Sequence, residues 1–255
     1  MTRLAGRAAI LTGGAKGIGR HYAEALAAAG AEVMIADIAD AGAFAAEIAA
    51  RHGRRAAASM VCDVSDETAV KDLVGKSIEH FGRIDILVNN AALYAPLQEQ
   101  EFTEIDVALW DRVMAVNIRG PFLMAKHVVP HMRARGYGKI INIGSGSVFR
   151  GIPQMLHYVT SKGAIVAFTR SLSRAVGGDG ICVNTLAPGF TMSDSLGESN
   201  PGHVESSRQP AIARRAIKRD QHPADLLGAL VFLASADSDF VTGQTIAVDG
   251  GAVNT

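Results

Sequence analysis

The sequence predicts a single α/β domain: a doubly wound parallel sheet of seven strands with helices on both faces. Three observations lead there. Short apolar runs alternate with amphipathic segments from end to end, a glycine-rich turn links the first run to the first such segment, and no linker, repeat or low-complexity tract interrupts the 255 residues. A core of this size commonly forms as one unit, so the domain is expected to span residues 1–255.

The first strand is expected at Ala8 to Leu11, an unbroken apolar run. In the segment after it, Ile18, Tyr22 and Leu26 recur every four residues and share one helical face, and Gly30 supplies a stop. A strand at Glu32 to Ala36, a helix at Ala41 to His52 and a strand at Ala57 to Cys62 follow, then a helix at Glu67 to Phe81 and a strand at Ile84 to Val88. One long helix is expected at Asp106 to Arg135. A strand at Lys139 to Ile143, a helix at Tyr158 to Val176 and a strand at Ile181 to Leu186 continue the alternation, which Pro223 to Ala234 and Thr245 to Val248 close. Only 191–221 breaks the rhythm, with Gly, Pro and Ser early and a mixed helical pattern late. A connection that long inside a compact domain suits a substrate lid.

Apolar residues make up 48% of the chain and charged ones 20%, which excludes a disordered protein. Lysine plus arginine (25) balances aspartate plus glutamate (25), leaving no general attraction to nucleic acid or to an anionic membrane, so a small molecule is the expected partner. The N-terminal apolar stretch is too short for a membrane span and lacks a secretory cleavage pattern. Cys62 and Cys182 lie in strand-like apolar runs and read as inert core thiols suited to a reducing compartment. The expected location is the cytoplasm.

The first strand runs into Thr12-Gly13-Gly14-Ala15-Lys16-Gly17-Ile18-Gly19. Glycines at 13, 17 and 19 allow a tight turn, close backbone approach to a pyrophosphate and close helix packing, while the helix N-terminus offers free N–H groups to phosphate. Alone, such a loop is often a plain turn. A strand before it, a helix after it and Asp37 at the end of the next strand give it the context of a Rossmann dinucleotide site. Asp37, eighteen residues past Gly19, is placed to accept hydrogen bonds from the adenosine ribose and to repel a 2′-phosphate. Ile38 and Ala39 supply no cation for such a phosphate, so NAD is expected over NADP. Lys16 pulls the other way, but reads as a solvated loop residue while Asp37 stands.

Tyr158 and Lys162 are four residues apart at the start of a predicted helix, so both side chains share one face. A neighbouring ammonium stabilises a phenolate, lowering a tyrosine pKa from its usual value near 10 toward the working range of a general acid/base. On a helix such a pair is usually a surface contact. Ser145, thirteen residues before the tyrosine and at the carboxyl end of a strand, changes that reading, because its hydroxyl can bond the same substrate oxygen.

With the motifs around them, these residues resemble the short-chain dehydrogenase/reductase family over nearly the whole chain. The matching segments are Thr12 to Gly19, Asp63-Val64 beside the adenine, Asn89-Asn90-Ala91-Ala92, Asn117, Ser145 and Tyr158-Val159-Thr160-Ser161-Lys162. Pro188-Gly189 and Thr242-Gly243-Gln244 through Asp249-Gly250-Gly251 complete the set. The resemblance implies a catalytic tetrad of Asn117, Ser145, Tyr158 and Lys162: the tyrosine exchanges the proton, the serine steadies the substrate oxygen, and the lysine tunes the phenol and holds the nicotinamide ribose. Asn117 is expected to hold a water through its backbone carbonyl, which Pro121, lacking an N–H, leaves free.

The resemblance also implies cofactor contacts at Gly13, Lys16, Gly17, Ile18, Gly19, Asp37, Asp63, Val64, Asn90, Gly189 and the Thr191 backbone. Ser193 stands where the family often has a threonine on the nicotinamide carboxamide, and Ala92 stands where a glycine is common. The implied reaction is NAD-dependent interconversion of a secondary alcohol and a ketone. The stretches Ala216-Ile217 and Pro223-Ala224-Asp225-Leu226 look similar to aryl-alcohol and pyridoxal dehydrogenases of the family, so a small aromatic or cyclic substrate is expected. So is a homotetramer or homodimer paired through two long helices. Two rival readings are an NADPH-dependent 3-oxoacyl-carrier reductase and a non-catalytic dinucleotide-sensing module, against which the intact Tyr158 and Lys162 argue.

Leu93, Tyr94, Ser147, Phe149, Gln154 and Leu156 flank the tetrad in sequence and are candidates to line the substrate cleft. His127 and His131 share a helical face but have no third ligand, so no metal is expected. His157 adjoins the tyrosine, should point off its face and is assigned no role. The basic cluster Arg214, Arg215, Lys218 and Arg219 reads as a solvated helix face, with an anionic substrate tail or acidic carrier as the alternative.

Overall fold

A computed structural model describes residues 2–254; Met1 and Thr255, the two ends of the predicted domain, lie outside the described residues. Seven parallel strands form one sheet: β1 (Ala8–Thr12), β2 (Glu32–Asp37), β3 (Ala57–Val61), β4 (Ile86–Asn89), β5 (Gly138–Ile143), β6 (Ile181–Pro188) and β7 (Thr245–Val248). Their spatial order is β3-β2-β1-β4-β5-β6-β7, so the winding reverses between β1 and β4. Crevices at such a reversal open at the carboxyl ends of the strands.

The alternation of side chains along β1 shows why the apolar runs are unbroken. Ala9 and Leu11 join the core on one face, with α1 (Gly17–Ala28), α2 (Gly42–His52) and the late helix Ala224–Ala234. Ala8 and Ile10 join the core on the other, with α3 (Glu67–Phe81) and the helices Gly120–Arg133 and Leu156–Val176. Both faces are covered, so the run is apolar up to the buried Thr12 at its end. Each fully buried Leu or Ile contributes about 1.5–3 kcal/mol.

Two elements differ from the sequence expectation. The long helix is interrupted: α4 (Val107–Met114) passes through a π-turn at Ala115–Arg119 into α5 (Gly120–Arg133), with the Gly120 N–H bonded to the Ala115 carbonyl. Pro121 has no N–H to give the Asn117 carbonyl, and the ladder widens where that bond would fall. After α6 (Leu156–Val176), the glycine- and serine-rich part of 191–221 is helical, as α7 (Asp194–Ser199) and α8 (Pro201–Arg214), before α9 (Ala224–Ala234). Asn200 caps α8 through its side chain, and Pro201 sits in the first turn, where a missing N–H costs nothing.

A buried polar chain fixes α6 on the sheet. The Asn89 amide donates to Asn142 at 2.8 Å, Asn142 donates to the Thr169 hydroxyl at 2.8 Å, and Thr185 donates to the same hydroxyl at 2.8 Å. In a low-dielectric core such a chain is costly to break, so it sets the position of the helix that carries Tyr158 and Lys162.

Candidate active site

The glycine loop is shaped by close backbone contacts. Gly13 has φ +66°, and a Cβ there would lie 2.7 Å from Ala91 Cα; a Cβ on Gly19 would lie 1.9 Å from the Gly13 carbonyl oxygen. Asn90 braces the turn, its side-chain amide donating to the carbonyls of Thr12 at 3.0 Å and Gly13 at 2.7 Å. The first turn of α1 has no side-chain cap and no acidic residue, so its N–H groups and positive dipole end are available to an anion. That cradle fits a dinucleotide pyrophosphate. Gly19→Ala is expected to destabilise the protein by about 1–3 kcal/mol through overpacking and to weaken NADH binding, read by thermal melting and fluorescence titration.

From this loop one cavity of about 940 Å³ runs across the carboxyl ends of the strands. At one end lie Asp37, Ile38, Asp63 and Val64, with Lys16 at the rim. The Asp37 carboxylate accepts from the N–H groups of Ala15 at 2.9 Å and Ala39 at 3.0 Å, which orients it at the tip of β2. Gly13, Ile18, Gly19, Asn90, Gly189 and Thr191 line the middle. At the far end Ser145, Tyr158 and Lys162 meet Tyr94, Ser147 and Gln154.

Tyr158 is 8% exposed and Lys162 4%. The lysine Nζ donates to the Ile143 carbonyl at 2.7 Å and stands 5.8 Å from the centre of the tyrosine ring. Burial pushes the Tyr158 phenol up to about 12, with the Ser145 hydroxyl acting in the opposite direction; burial pushes the Lys162 ammonium down to about 8. The expectation of a depressed phenol is therefore corrected: with the lysine bonded to a backbone carbonyl, desolvation of the phenolate outweighs what stabilises it. Ser145 lies two residues past the end of β5, and its Oγ accepts from the Ser147 hydroxyl at 2.8 Å, so its own proton is directed to the Tyr158 oxygen or to a substrate oxygen beside it.

Asn117 is 1% exposed and its side chain does not reach the cavity. Its amide accepts from Leu93 N at 2.8 Å and donates to Leu93 O at 3.2 Å and Ser161 Oγ at 3.0 Å, tying the loop after β4 to α6. Four other predicted residues are also placed elsewhere, among them Leu156, which is exposed and lines no part of the cavity. Gly17 lies off the cavity wall, where a Cβ would strike the Ser195 hydroxyl, so its bare backbone makes room for α7. Ser193 and Phe149 line no part of the cavity; Ser195, two residues on, does. A turn at Gly146–Phe149 presents Ser147 to the site, while Phe149 faces elsewhere.

The lid is closed at its root by a bridge between Thr191 and Gln221, with Met192 N donating to Gln221 O at 2.8 Å. The reading of Arg215 as solvated is corrected: it is 3% exposed, and its guanidinium donates to the carbonyls of Phe190 and Arg219. An arginine fork satisfies several carbonyls at once and clamps the segment that returns from the lid to the body. Arg219 pairs with Asp225 at 2.6 Å, and Lys218 caps the Ala213 carbonyl at 2.7 Å. Of the four cluster residues Arg214 alone lines the cavity.

The sequence reading missed His203, Ser206, Ser207, Pro210 and Ala211, which with Arg214 form one face of α8 over the site. His203 bonds the Tyr94 hydroxyl at 3.1 Å and Glu99 at 2.7 Å, and the Tyr94 ring stacks 4.7 Å from that of Tyr158. His157 is fully buried, points away from the cavity and accepts from Tyr158 N at 2.9 Å. His127 bonds Glu67 at 2.9 Å, and no group of three or more His, Cys, Asp or Glu among the described residues could hold a metal.

The family model described as enoyl-(acyl carrier protein) reductase matches residues 13–253. The chain is 41% identical to galactitol 2-dehydrogenase of Agrobacterium fabrum over 258 residues, covering 98% of each. It is 37% identical to cis-4-hydroxycyclohexanecarboxylate dehydrogenase of Sinomonas cyclohexanicum over 245 residues, covering 96% of each. Among solved structures, levodione reductase superposes with a TM-score of 0.90 at 30% identity, covering 97% of this chain and 98% of that one.

Proposed function

The chain belongs to the short-chain dehydrogenase/reductase family and is an oxidoreductase acting on CH–OH groups, and from that premise we propose that it interconverts a secondary alcohol and a ketone with NAD, Tyr158 serving as general acid/base. The observation that carries this reading is one continuous cavity with Asp37 at one end and the Ser145 and Tyr158 hydroxyls at the other. When bound, the dinucleotide supplies the hydride donor or acceptor.

The protein's own residues do the rest. Gly13 and Gly19 let the backbone approach the pyrophosphate, and Asp37 takes the adenosine ribose hydroxyls. Ser145 donates to the substrate oxygen and Tyr158 passes it a proton, or receives one in the reverse direction. Lys162 supplies the nearby positive charge, and Asn117 holds the loop that carries Leu93 and Tyr94 against α6. Thr191 and Ser195 flank the nicotinamide end, while α7 and α8 form a lid that excludes water from the reacting atoms.

A small cyclic or aromatic substrate is supported by the Tyr94 and Phe190 rings lining the far end and by the cyclic substrate named for one of the relatives. Pairing into a homodimer or homotetramer is supported by exposed Val107 and Phe122 on α4 and α5. A cytoplasmic setting is supported by two free, buried cysteines; no helix among the described residues is long and apolar enough to cross a membrane. The test is a panel of secondary alcohols and ketones followed through the nicotinamide absorbance with each cofactor. Turnover of cyclic or aryl alcohols with NAD is expected. Reduction of acetoacetyl thioesters with NADPH but not NADH would instead support a carrier reductase.

A further inference from the structure

Two arginines line the cavity that holds Ser145 and Tyr158. Arg150 follows the turn that begins at Ser145, so it stands on the body of the protein five residues from that hydroxyl; Arg214 is the last residue of α8, on the lid. The Arg150 Nε is buried with no hydrogen-bond partner, and burial together with the nearby Arg214 charge lowers its pKa. Neither guanidinium is in an ion pair among the described residues.

Of the acids nearby, Asp249 alone keeps a buried carboxylate oxygen without a hydrogen-bond partner. Glu99 is bonded to His203 at 2.7 Å. Asp249 attracts Arg150 without pairing with it, and one of its oxygens takes the N–H groups of Gly251 at 2.9 Å and Ala252 at 3.0 Å. Asp220 is held by Arg208 and Asp225 by Arg219. Arg150 is half-buried and Arg214 exposed, so the two offer a pair of cations to a ligand in the cavity, and a guanidinium fork matches a carboxylate with two parallel hydrogen bonds.

We propose that the substrate is a hydroxy or oxo acid whose carboxylate is held between Arg150 and Arg214. This rests on the cavity being the dehydrogenase site described above. The Arg150 charge is felt by the Tyr94 hydroxyl, and the Tyr94 ring lies 4.7 Å from Tyr158. In this reading the carboxylate stands several bonds from the carbinol carbon, with Tyr94 between the arginines and Tyr158. Binding spans body and lid, so the anion draws α8 over the site.

Two measurements test this. In the first, benzoate and benzamide are titrated calorimetrically into the NADH-loaded Tyr158→Phe protein; benzoate is expected to bind about 10- to 100-fold more tightly. In the second, kcat/KM for 4-(1-hydroxyethyl)benzoate is divided by that for its methyl ester. Arg150→Met and Arg214→Met, which keep the aliphatic stems, are each expected to lower this ratio by about tenfold or more. Equal binding of benzoate and benzamide, or a ratio that both substitutions leave unchanged, overturns the proposal. Absence of turnover with either alcohol refutes the dehydrogenase reading, while the titration still decides the anion site.

Discussion

Tyr158→Phe is expected to lower kcat by about 10³-fold, within the range of about 10²–10⁴ that a positioned acid/base contributes, while NADH binding and the thermal melting point stay close to the parent values. Ring and packing survive the change; only the hydroxyl that faces the substrate is lost. Undiminished turnover would remove the mechanism.

The parent enzyme should also show an asymmetric pH response. Carbonyl reduction draws on the protonated phenol, which burial holds up to about 12, so this direction has its acid at neutral pH. Alcohol oxidation needs the phenolate. Tyr158 and Lys162 together release their first proton near 8, whichever of the two it leaves, because the lysine is held down to about 8. The species with phenolate beside ammonium carries the same number of protons as phenol beside amine. Its population therefore rises about tenfold per pH unit below that value and levels above it. Oxidation is expected to follow this curve in stopped-time assays across pH 6–10, and a flat profile would separate the proton transfer from this pair.

The second large effect concerns the cofactor. Asp37→Asn keeps an acceptor oxygen for the N–H groups of Ala15 or Ala39 and removes the charge. A carboxylate set against a 2′-phosphate costs several kcal/mol, so the ratio of kcat/KM with NADP to that with NAD is expected to rise by about 10²-fold or more. Lys16, at the rim of the same end of the cavity, then becomes a partner for the phosphate, and Lys16→Ala in the Asp37→Asn background should reverse part of the gain. An unchanged ratio, or a parent enzyme that already prefers NADPH, would assign cofactor choice to Lys16 instead.

The sheet was legible because its physics is local. A strand buried on both faces needs a largely apolar run, and β1, β2, β5 and β6 supply it within a residue or two of the expected limits, β5 and β6 carrying the polar residues of the buried chain. The glycine loop was legible for a related reason: the glycines at 13 and 19 are required by backbone atoms that would collide with any side chain, so the residue type itself records the contact. The face of α8 over the site left no such record. His203, Ser206, Ser207, Pro210, Ala211 and Arg214 follow helical spacing but are mostly polar, so no apolar period marks them. The π-turn at Ala115–Arg119 was hidden because a helical pattern hardly changes when one bond of the ladder widens.

The sequence by itself determined the alternation of strand and helix, the glycine loop, the acidic tip of β2 and the placing of Tyr158 and Lys162 on one helix face, since each depends on residues close together in the chain. Tertiary structure alone decided that Arg215 is a buried clamp while Arg214 lines the cavity, that Ser195 rather than Ser193 reaches it, and that Arg150 lines it as well. Those outcomes depend on which side of a turn or helix end meets a segment distant in sequence. Contacts of that kind are set by packing, and composition and spacing do not carry them.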